Sequence, residues 1–402
     1  MEGRPRCVLA FSGGLDTSLC VVYLREALGY DVITVTVDTG GFSAQELARI
    51  EARALETGAI EHLTVDATEE LYQSWIRHLI AANYLKGGVY PLCVGVERVV
   101  QAEHIVTVAK AKGAVAVAHG STGAGNDQIR FDAVLRTLAP GLRLITPIRD
   151  LGWGRPEEAE YLAKHGIEVD ASTKRYSINA GLWGTTIGGG ETRTTDQVVP
   201  DEVFQRTVHP DAAPAAGVLV RIGFEKGQPV SLDGERLAPV DLLRRLDALA
   251  AAHGVGRGIH LGDTILGIKG RIAFEAPVAT VVLHAHRELE KLVLTKHQQL
   301  IKEQIAQHYG LFLHEGRYLD PAMRDMEAFL DSSQRTVTGE VTVQLRRGHC
   351  LAVALTSPHS LLDASRAAYG ETSGLWDGRD ADGFARIFAI QSMLAWRARG
   401  EA

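Results

Sequence analysis

Cys7-Val8-Leu9-Ala10-Phe11-Ser12-Gly13-Gly14-Leu15-Asp16-Thr17-Ser18 opens the chain with a short apolar run, a glycine turn and the start of a helix. The run reads as a buried strand, and from Leu19 to Leu28 the apolar residues recur at helical spacing. Working outward, Val32 to Asp38 is a second buried strand. Ser43 and Glu46 have capping-box spacing, which starts a helix that runs to about Glu56 and stops at Gly58. Further strands are expected at His62–Asp66, Ala114–His119 and Leu142–Pro147, with helices around residues 69 to 84 and 97 to 112. Such alternation predicts an α/β fold over residues 1-168, with a parallel sheet covered on both faces.

Beyond residue 170 the pattern becomes mixed. A Gly-rich loop is expected at 181 to 190, strands near 217 to 224, 264 to 275 and 336 to 356, and a long helix from about 285 to 308. This reads as a second, α+β domain over residues 169-363. Residues 364-402 form a tail whose Gly383–Trp396 stretch is an amphipathic helix, placed either on another subunit or back on its own domain.

Of 402 residues 46% are hydrophobic and 23% charged, enough apolar material for ordinary cores. A net charge of -7 without any long Lys or Arg run argues against nucleic acid or an anionic membrane as the main partner, and Arg346-Arg347 reads as a solvated strand end. The apolar stretches are too short to span a membrane and no signal region opens the sequence, so a cytoplasmic location is expected. Cys7, Cys20, Cys93 and Cys350 are scattered without a CxxC pair, which predicts reduced, structural thiols and no metal site.

Ser12 to Ser18 lies between a strand and a helix. Two glycines aim backbone amides inward, Ser12, Thr17 and Ser18 add hydroxyls, and the helix amino end adds positive potential, so the turn is an anion cradle. It lacks the lysine of GxxxxGK[ST] and the spacing of GxGxxG, which disfavours ordinary kinases and dehydrogenases. A second signature, His119-Gly120-Ser121-Thr122-Gly123-Ala124-Gly125-Asn126-Asp127-Gln128-Ile129-Arg130-Phe131-Asp132, sets an amide, a carboxylate and a guanidinium within about one helical turn. That set suits a zwitterionic amino acid; a helix cap with a surface ion pair is the plainer reading. Both signatures fall at the carboxyl ends of expected strands, where open α/β sheets bind ligands.

The first loop resembles the SGGxDS-like loops of N-type ATP pyrophosphatases, and the second resembles the HGxTGKGNDQxRF string of argininosuccinate synthases. Tyr90-Pro91-Leu92, Tyr176-Ser177-Ile178, Gly223-Phe224-Glu225-Lys226-Gly227, Gly267-Ile268-Lys269 and Val337-Thr338-Gly339-Glu340-Val341 extend that resemblance over nearly the whole chain. It implies a homotetrameric ligase using ATP and Mg²⁺. A ureido oxygen of citrulline attacks ATP, pyrophosphate leaves, and the amine of L-aspartate displaces AMP. By resemblance, Ala10, Phe11, Ser12, Gly13, Gly14, Leu15, Asp16, Thr17, Ser18, Val37 and Gly120 would contact ATP, and Thr122, Asn126 and Asp127 would hold aspartate. Tyr90, Asn126, Arg130, Ser177 and Thr186 would line the acceptor site, and Asp16 and Asp127 are the carboxylates best suited to orient metal or substrate.

The departures from the family pattern gather on the citrulline side. Gly95, Gly188 and Gly262 stand for Ser, Glu and Glu, Phe274 for Tyr, Ile259 for Asp, and Ala124 for the lysine of TGKGND. Losing the anionic partner of a desolvated ammonium costs about 3 to 5 kcal/mol, or roughly two to three orders of magnitude in affinity. An acceptor other than citrulline, a ureido, amide or related carbonyl compound, is therefore expected, unless Asp263 or His260 compensates. A tRNA-modifying or amidotransferase relative would need catalytic cysteines, a basic RNA-binding module or a glutaminase portion. A non-catalytic nucleotide-binding paralogue would not need two chemically complete loops.

Overall fold

The computed structural model describes residues 3–168, 175–365 and 374–400. The expected boundary at 168/169, and the part of the expected tail at 366–373 and 401–402, fall outside the described residues.

The first half runs β1 (Arg6–Ala10), α1 (Leu15–Glu26), β2 (Asp31–Asp38), α2 (Ala44–Glu56) and β3 (Glu61–Asp66). The expected helix at 69 to 84 is divided into α3 (Thr68–Leu71), a π-helical turn at Tyr72–Ile76 and α4 (Arg77–Ala82). Then come α5 (Glu97–Ala111), β4 (Ala116–Ala118), α6 (Asp127–Leu138), β5 (Arg143–Ile145), α7 (Pro147–Leu151) and α8 (Arg155–Lys164). The five strands pair in parallel in the order β3-β2-β1-β4-β5. Strand periodicity divides them between two cores. Val8, Ile33, Val35 and Val37 pack with Leu79 and Val99, whereas Cys7, Leu9 and Val32 face Leu19 and Val22 of α1. The capping box of Ser43 and Glu46 forms as expected.

The second domain starts with a hairpin, β6 (Tyr176–Ala180) and β7 (Thr185–Gly189), where a Gly-rich loop was expected. It continues through β8 (Val218–Glu225), β9 (Gln228–Leu232), β10 (Glu235–Arg236), α9 (Pro239–Ala252), β11 (Arg257–Asp263) and β12 (Lys269–Glu275). After α10 (Pro277–Val293), α11 (Lys296–His314) and α12 (Pro321–Ser333) come β13 (Gly339–Arg346), β14 (His349–Thr356), α13 (Leu361–Ser365) and the terminal α14 (Gly378–Ala398). The strands form two mainly antiparallel sheets, β10-β9-β8-β13-β14 and β11-β12-β7-β6. The single strand expected at 264 to 275 is instead the end of a β11–β12 hairpin that turns at 264–268.

The long helix expected from 285 to 308 is two helices. Leu294 is extended, with ψ 143°, and Thr295 caps α11 through a capping box with Gln298. The polar run Thr295-Lys296-His297-Gln298-Gln299 breaks the apolar stripe, and the Thr-x-x-Gln spacing within it marks the new start. No residue of α14 is buried, and Phe384, Ile387, Phe388, Leu394 and Trp396 are among its exposed apolar side chains.

The two domains lock at the end of β2. Leu182 donates its N–H to the Thr39 carbonyl at 2.9 Å. The Glu97 carboxyl, 3% exposed, lies so close to Gly181 that no side chain fits there. Burial pushes this carboxyl up to about 8 against the opposing pull of Arg98, and Oε1 has no hydrogen-bond partner. A carboxyl raised in the folded state stays protonated there, while the unfolded chain ionises above its ordinary value. Folding stability therefore falls as pH rises from about 4.5 towards about 8. Glu97→Gln is expected to lack this loss, of order 2–4 kcal/mol. Urea titrations at pH 5 and pH 8 check it, and a wild-type–variant difference that does not change with pH counts against it. Thr295→Ala should cost about 1 kcal/mol in the same measurement, by removing the cap.

Candidate active-site cleft

The sheet order changes direction between β1 and β4, and each carries one of the two signatures at its carboxyl end. After β1, Gly13 takes φ +73° and Gly14 is the extended N-cap of α1, with no side-chain cap bond. The first amides of α1 thus have no side-chain cap, the arrangement an anion site needs. Thr17 Oγ1 donates to the Gly14 carbonyl at 3.3 Å and sits 3.3 Å from Ser12 Oγ. Ser12 and Gly14 are exposed, Ala10, Gly13, Asp16 and Thr17 partly so, and Phe11, Leu15, Ser18 and Val37 are buried. The buried Ser18 Oγ has no partner, so the hydroxyl expected in the cradle faces inward. Asp16 is directed to α8, where burial and the neighbouring Asp16 carboxylate push Glu158 up to about 7. A side chain at Gly120 would come 3.1 Å from Thr17 Cγ2, so the second loop lies closely against α1 there.

The second loop is braced from below. His119 stacks on Phe131 at 5.2 Å; its Nδ1 accepts from the Ser121 N–H and its Nε2 donates to Asp132 at 2.9 Å. Gln128 donates to the Gly123 carbonyl and is itself held by Arg149 at 3.1 Å. Thr122, Gly123 and Ala124 stay exposed at the rim. Asn126 Oδ1 accepts the N–H of Ile265 at 2.8 Å, joining this loop to the β11–β12 turn.

Asp127 starts α6, in keeping with the one-turn spacing of Asn126, Asp127 and Arg130. Its two oxygens accept from Arg98 Nε at 3.0 Å and Arg130 NH1 at 2.9 Å. Burial alone would raise this carboxyl; the two guanidinium groups outweigh it and hold it at about 2. Asp127 is therefore a fixed anion at neutral pH and too weak a base to take a proton. Arg98 also donates to Asn179 on β6 at 3.2 Å, and Arg130 donates to the His314 carbonyl at 2.9 Å and lies 3.1 Å from its Nδ1. Burial and Arg130 pull His314 down to about 3, so the ring is neutral and its Nδ1 accepts.

The β11-β12-β7-β6 sheet forms the opposite wall. Its register aligns Gly258, Phe274, Thr186 and Asn179 in one row, with His260 paired to Ile272 and Ser177 to Gly188 in the next. Gly262 follows two residues after His260 and shares its face. Tyr90 is buried, stacked on His260 at 5.5 Å and packed on Phe274 at 5.3 Å. Phe274 joins Tyr90 to Thr186 and Arg130 is near enough to act on Tyr90, so the three line one cleft, while Ser177, in the next row, is exposed.

Two sequence expectations change. Ile259 has the opposite strand parity, is 42% exposed and faces away from the cleft, so it does not belong with the other departures. Asp263 does not compensate for Gly262: its carboxylate is exposed and paired with Lys269 at 2.5 Å, and only its carbonyl reaches inward, to Lys86 Nζ at 2.9 Å. Sequence reasoning missed Lys86, Arg98, Asn179 and His314. None lies in a motif; Asn179 alone could have been placed, by strand parity with Ser177. Among the described residues no group of three or more His, Cys, Asp and Glu side chains could hold a metal ion, and no helix is long and apolar enough to cross a membrane.

Residues 6–168 match the model of the arginosuccinate synthase N-terminal HUP domain, and residues 176–395 that of the arginosuccinate synthase C-terminal domain. The chain is 40% identical to the argininosuccinate synthase of Pyrococcus furiosus over 97% of its own length and 94% of that protein. It is 40% identical to that of Methanocaldococcus jannaschii over 96% and 97%. The Xanthomonas campestris enzyme of the same name is 42% identical over 96% and 97%. A parallel sheet with both signatures at its switch point, matched over both domains, makes this chain a member of the argininosuccinate synthase family of ATP-dependent carbon–nitrogen ligases.

Proposed function

We propose that this ligase joins the amine of L-aspartate to the carbon of a ureido or related carbonyl compound other than citrulline, with residues 1–168 binding ATP and residues 169–363 completing the acceptor site. The observation that carries the reading is the meeting of both signature loops at the β1–β4 switch point, across from the Tyr90 cleft. The carbonyl oxygen attacks the α-phosphorus of ATP and pyrophosphate leaves into the Ser12–Ser18 cradle. The amine then attacks the activated carbon, and AMP departs.

The chain's own groups supply orientation and charge. The uncapped start of α1 would receive pyrophosphate, and the uncharged cradle would share the load with Mg²⁺ held chiefly by the phosphates, with Asp16 the nearest loop carboxylate. The fixed anion of Asp127 suits the ammonium of aspartate, with Thr122 and Asn126 beside it. The acceptor part rests on the wall opposite, where Gly188 and Gly262 carry no carboxylate and Asp263 is turned away. Citrulline would leave its ammonium there without an anion.

Aspartate-dependent AMP release, measured over a panel of ureido and amide compounds, tests the reading. Turnover of citrulline at micromolar KM would overturn the altered acceptor. Asp127→Asn is expected to lower kcat/KM for aspartate by about 10²–10³-fold, because it removes an anion from between two buried guanidinium groups. An unchanged value would remove Asp127 from the site.

We also propose that α14 packs on another copy of the chain, as the tetramer of the resemblance requires. Its apolar side chains, Phe384, Ile387 and Phe388 among them, are exposed in a single chain. Ile387→Asp with Phe388→Asp should reduce the mass seen by light scattering to that of a smaller species. An unchanged mass would place the interface elsewhere.

A further inference from the structure

This inference rests on reading the Tyr90 cleft as the acceptor site. The face of β11 that lines it reads Gly258, His260, Gly262, one ring between two glycines. The spacing is sterically coupled. A side chain at Gly262 would come 2.5 Å from His260 Nε2, one at Gly87 would come 3.0 Å from its Cε1, and one at Gly258 would overlap the Phe274 ring. His260 thus occupies the volume that residue 262 would otherwise fill, and its near-parallel stack on Tyr90, at 18°, fixes the plane of the imidazole.

The charge that acts on the ring is positive. Lys86 is fixed beside Tyr90 by a tight turn in which its N–H donates to the Tyr90 carbonyl at 2.7 Å. Burial, and then Lys86, disfavour the protonated form of His260, which places the ammonium near the ring. Arg130 lies near enough to act on Lys86, and Arg130, Lys86 and His260 all act on His314. Of the carboxylates facing these groups, Asp127 is held by Arg98 and Arg130 and is assigned above to the ammonium of aspartate, Asp263 is paired with Lys269, and Glu315 with Arg317. Lys86 is drawn down to about 8 by burial and Arg130, and still carries its charge at neutral pH. An ammonium here would meet cations and a neutral ring, whereas a carboxylate would meet donors.

We propose that His260, with Lys86, selects the acceptor by receiving a carboxylate at the end remote from the reacting carbonyl, so that the acceptor is an anionic ureido acid without a free ammonium group. His260 Nε2–H would donate to that carboxylate and Lys86 would supply the opposite charge.

Three compounds separate the terms: 5-ureidopentanoate, which is citrulline without its ammonium, citrulline itself, and 4-ureidobutylamine, which keeps an ammonium and lacks the carboxylate. Each is tested with the full-length protein, Mg-ATP and aspartate for AMP release, and by calorimetry with a non-hydrolysable ATP analogue. The expected order is 5-ureidopentanoate over citrulline by at least tenfold, with no detectable use of the amine. His260→Phe preserves the stack on Tyr90 and should raise KM and Kd for 5-ureidopentanoate by about 10–100-fold, with KM for ATP and aspartate unchanged. His260→Val with Gly262→Glu should turn the preference towards citrulline.

A wild-type protein that forms AMP and binds citrulline as well as or better than 5-ureidopentanoate overturns the assignment while leaving the ligase reading standing. So does a His260→Phe variant with unaltered Kd for the acid, since the ring would then only pack. Binding in the expected order without AMP release supports the assignment and counts against the ligase reading. Neither binding nor AMP release with any of the three overturns both.

Discussion

The carboxylate of Asp127 between Arg98 and Arg130 is the interaction on which the cleft depends. Arg98 comes from α5 and reaches Asn179 on the β6 strand; Arg130 comes from α6 and reaches His314 at the end of α11. One anion thereby draws two helices of the first domain and two elements of the second to a common point. A buried pair is costly to desolvate, but removing its centre would leave two guanidinium groups without a counter-charge, which is worse. The arrangement also fixes chemistry: a carboxylate held at about 2 can attract a cation but cannot act as a base near neutrality.

The architecture of the first half was legible because each signal there is local. Buried parallel strands must be apolar on both faces, and the glycine turn after Phe11 can lead only into a helix once Leu15 and Leu19 are read at its spacing. The second half was less legible. Leu294 and Thr295 separate two helices that the length of the helix-favouring stretch joins into one, and the Gly-rich segment at 181–190 pairs as a strand because Ile178, Ile187 and Ala273 align across three strands. Strand pairing is set by distant partners, which no local pattern contains.

The cleft divides in the same way. The two signature loops are contiguous in sequence and could be found there. The opposing wall is assembled from residues 86, 90, 186, 260 and 274, and only strand parity, together with a register known from the folded chain, separates Ile259 from His260. Lys86, Arg98 and His314 are single polar residues in ordinary surroundings along the chain, and their places around the cleft are a product of folding.

The hydrogen bond from the Ile265 N–H to Asn126 Oδ1 crosses from the β11–β12 hairpin, the proposed acceptor wall, to the loop proposed to hold aspartate. A ligand that steadies either partner lowers the conformational entropy the other must still lose, so the two substrates share one ordering cost. Equilibrium linkage makes the effect mutual: whatever factor the acceptor contributes to aspartate affinity, aspartate returns to the acceptor. Were His260 to discriminate among acceptors as proposed, that choice would be transmitted to the amine nucleophile, and a poorly matched acceptor would leave the incoming amine loosely held.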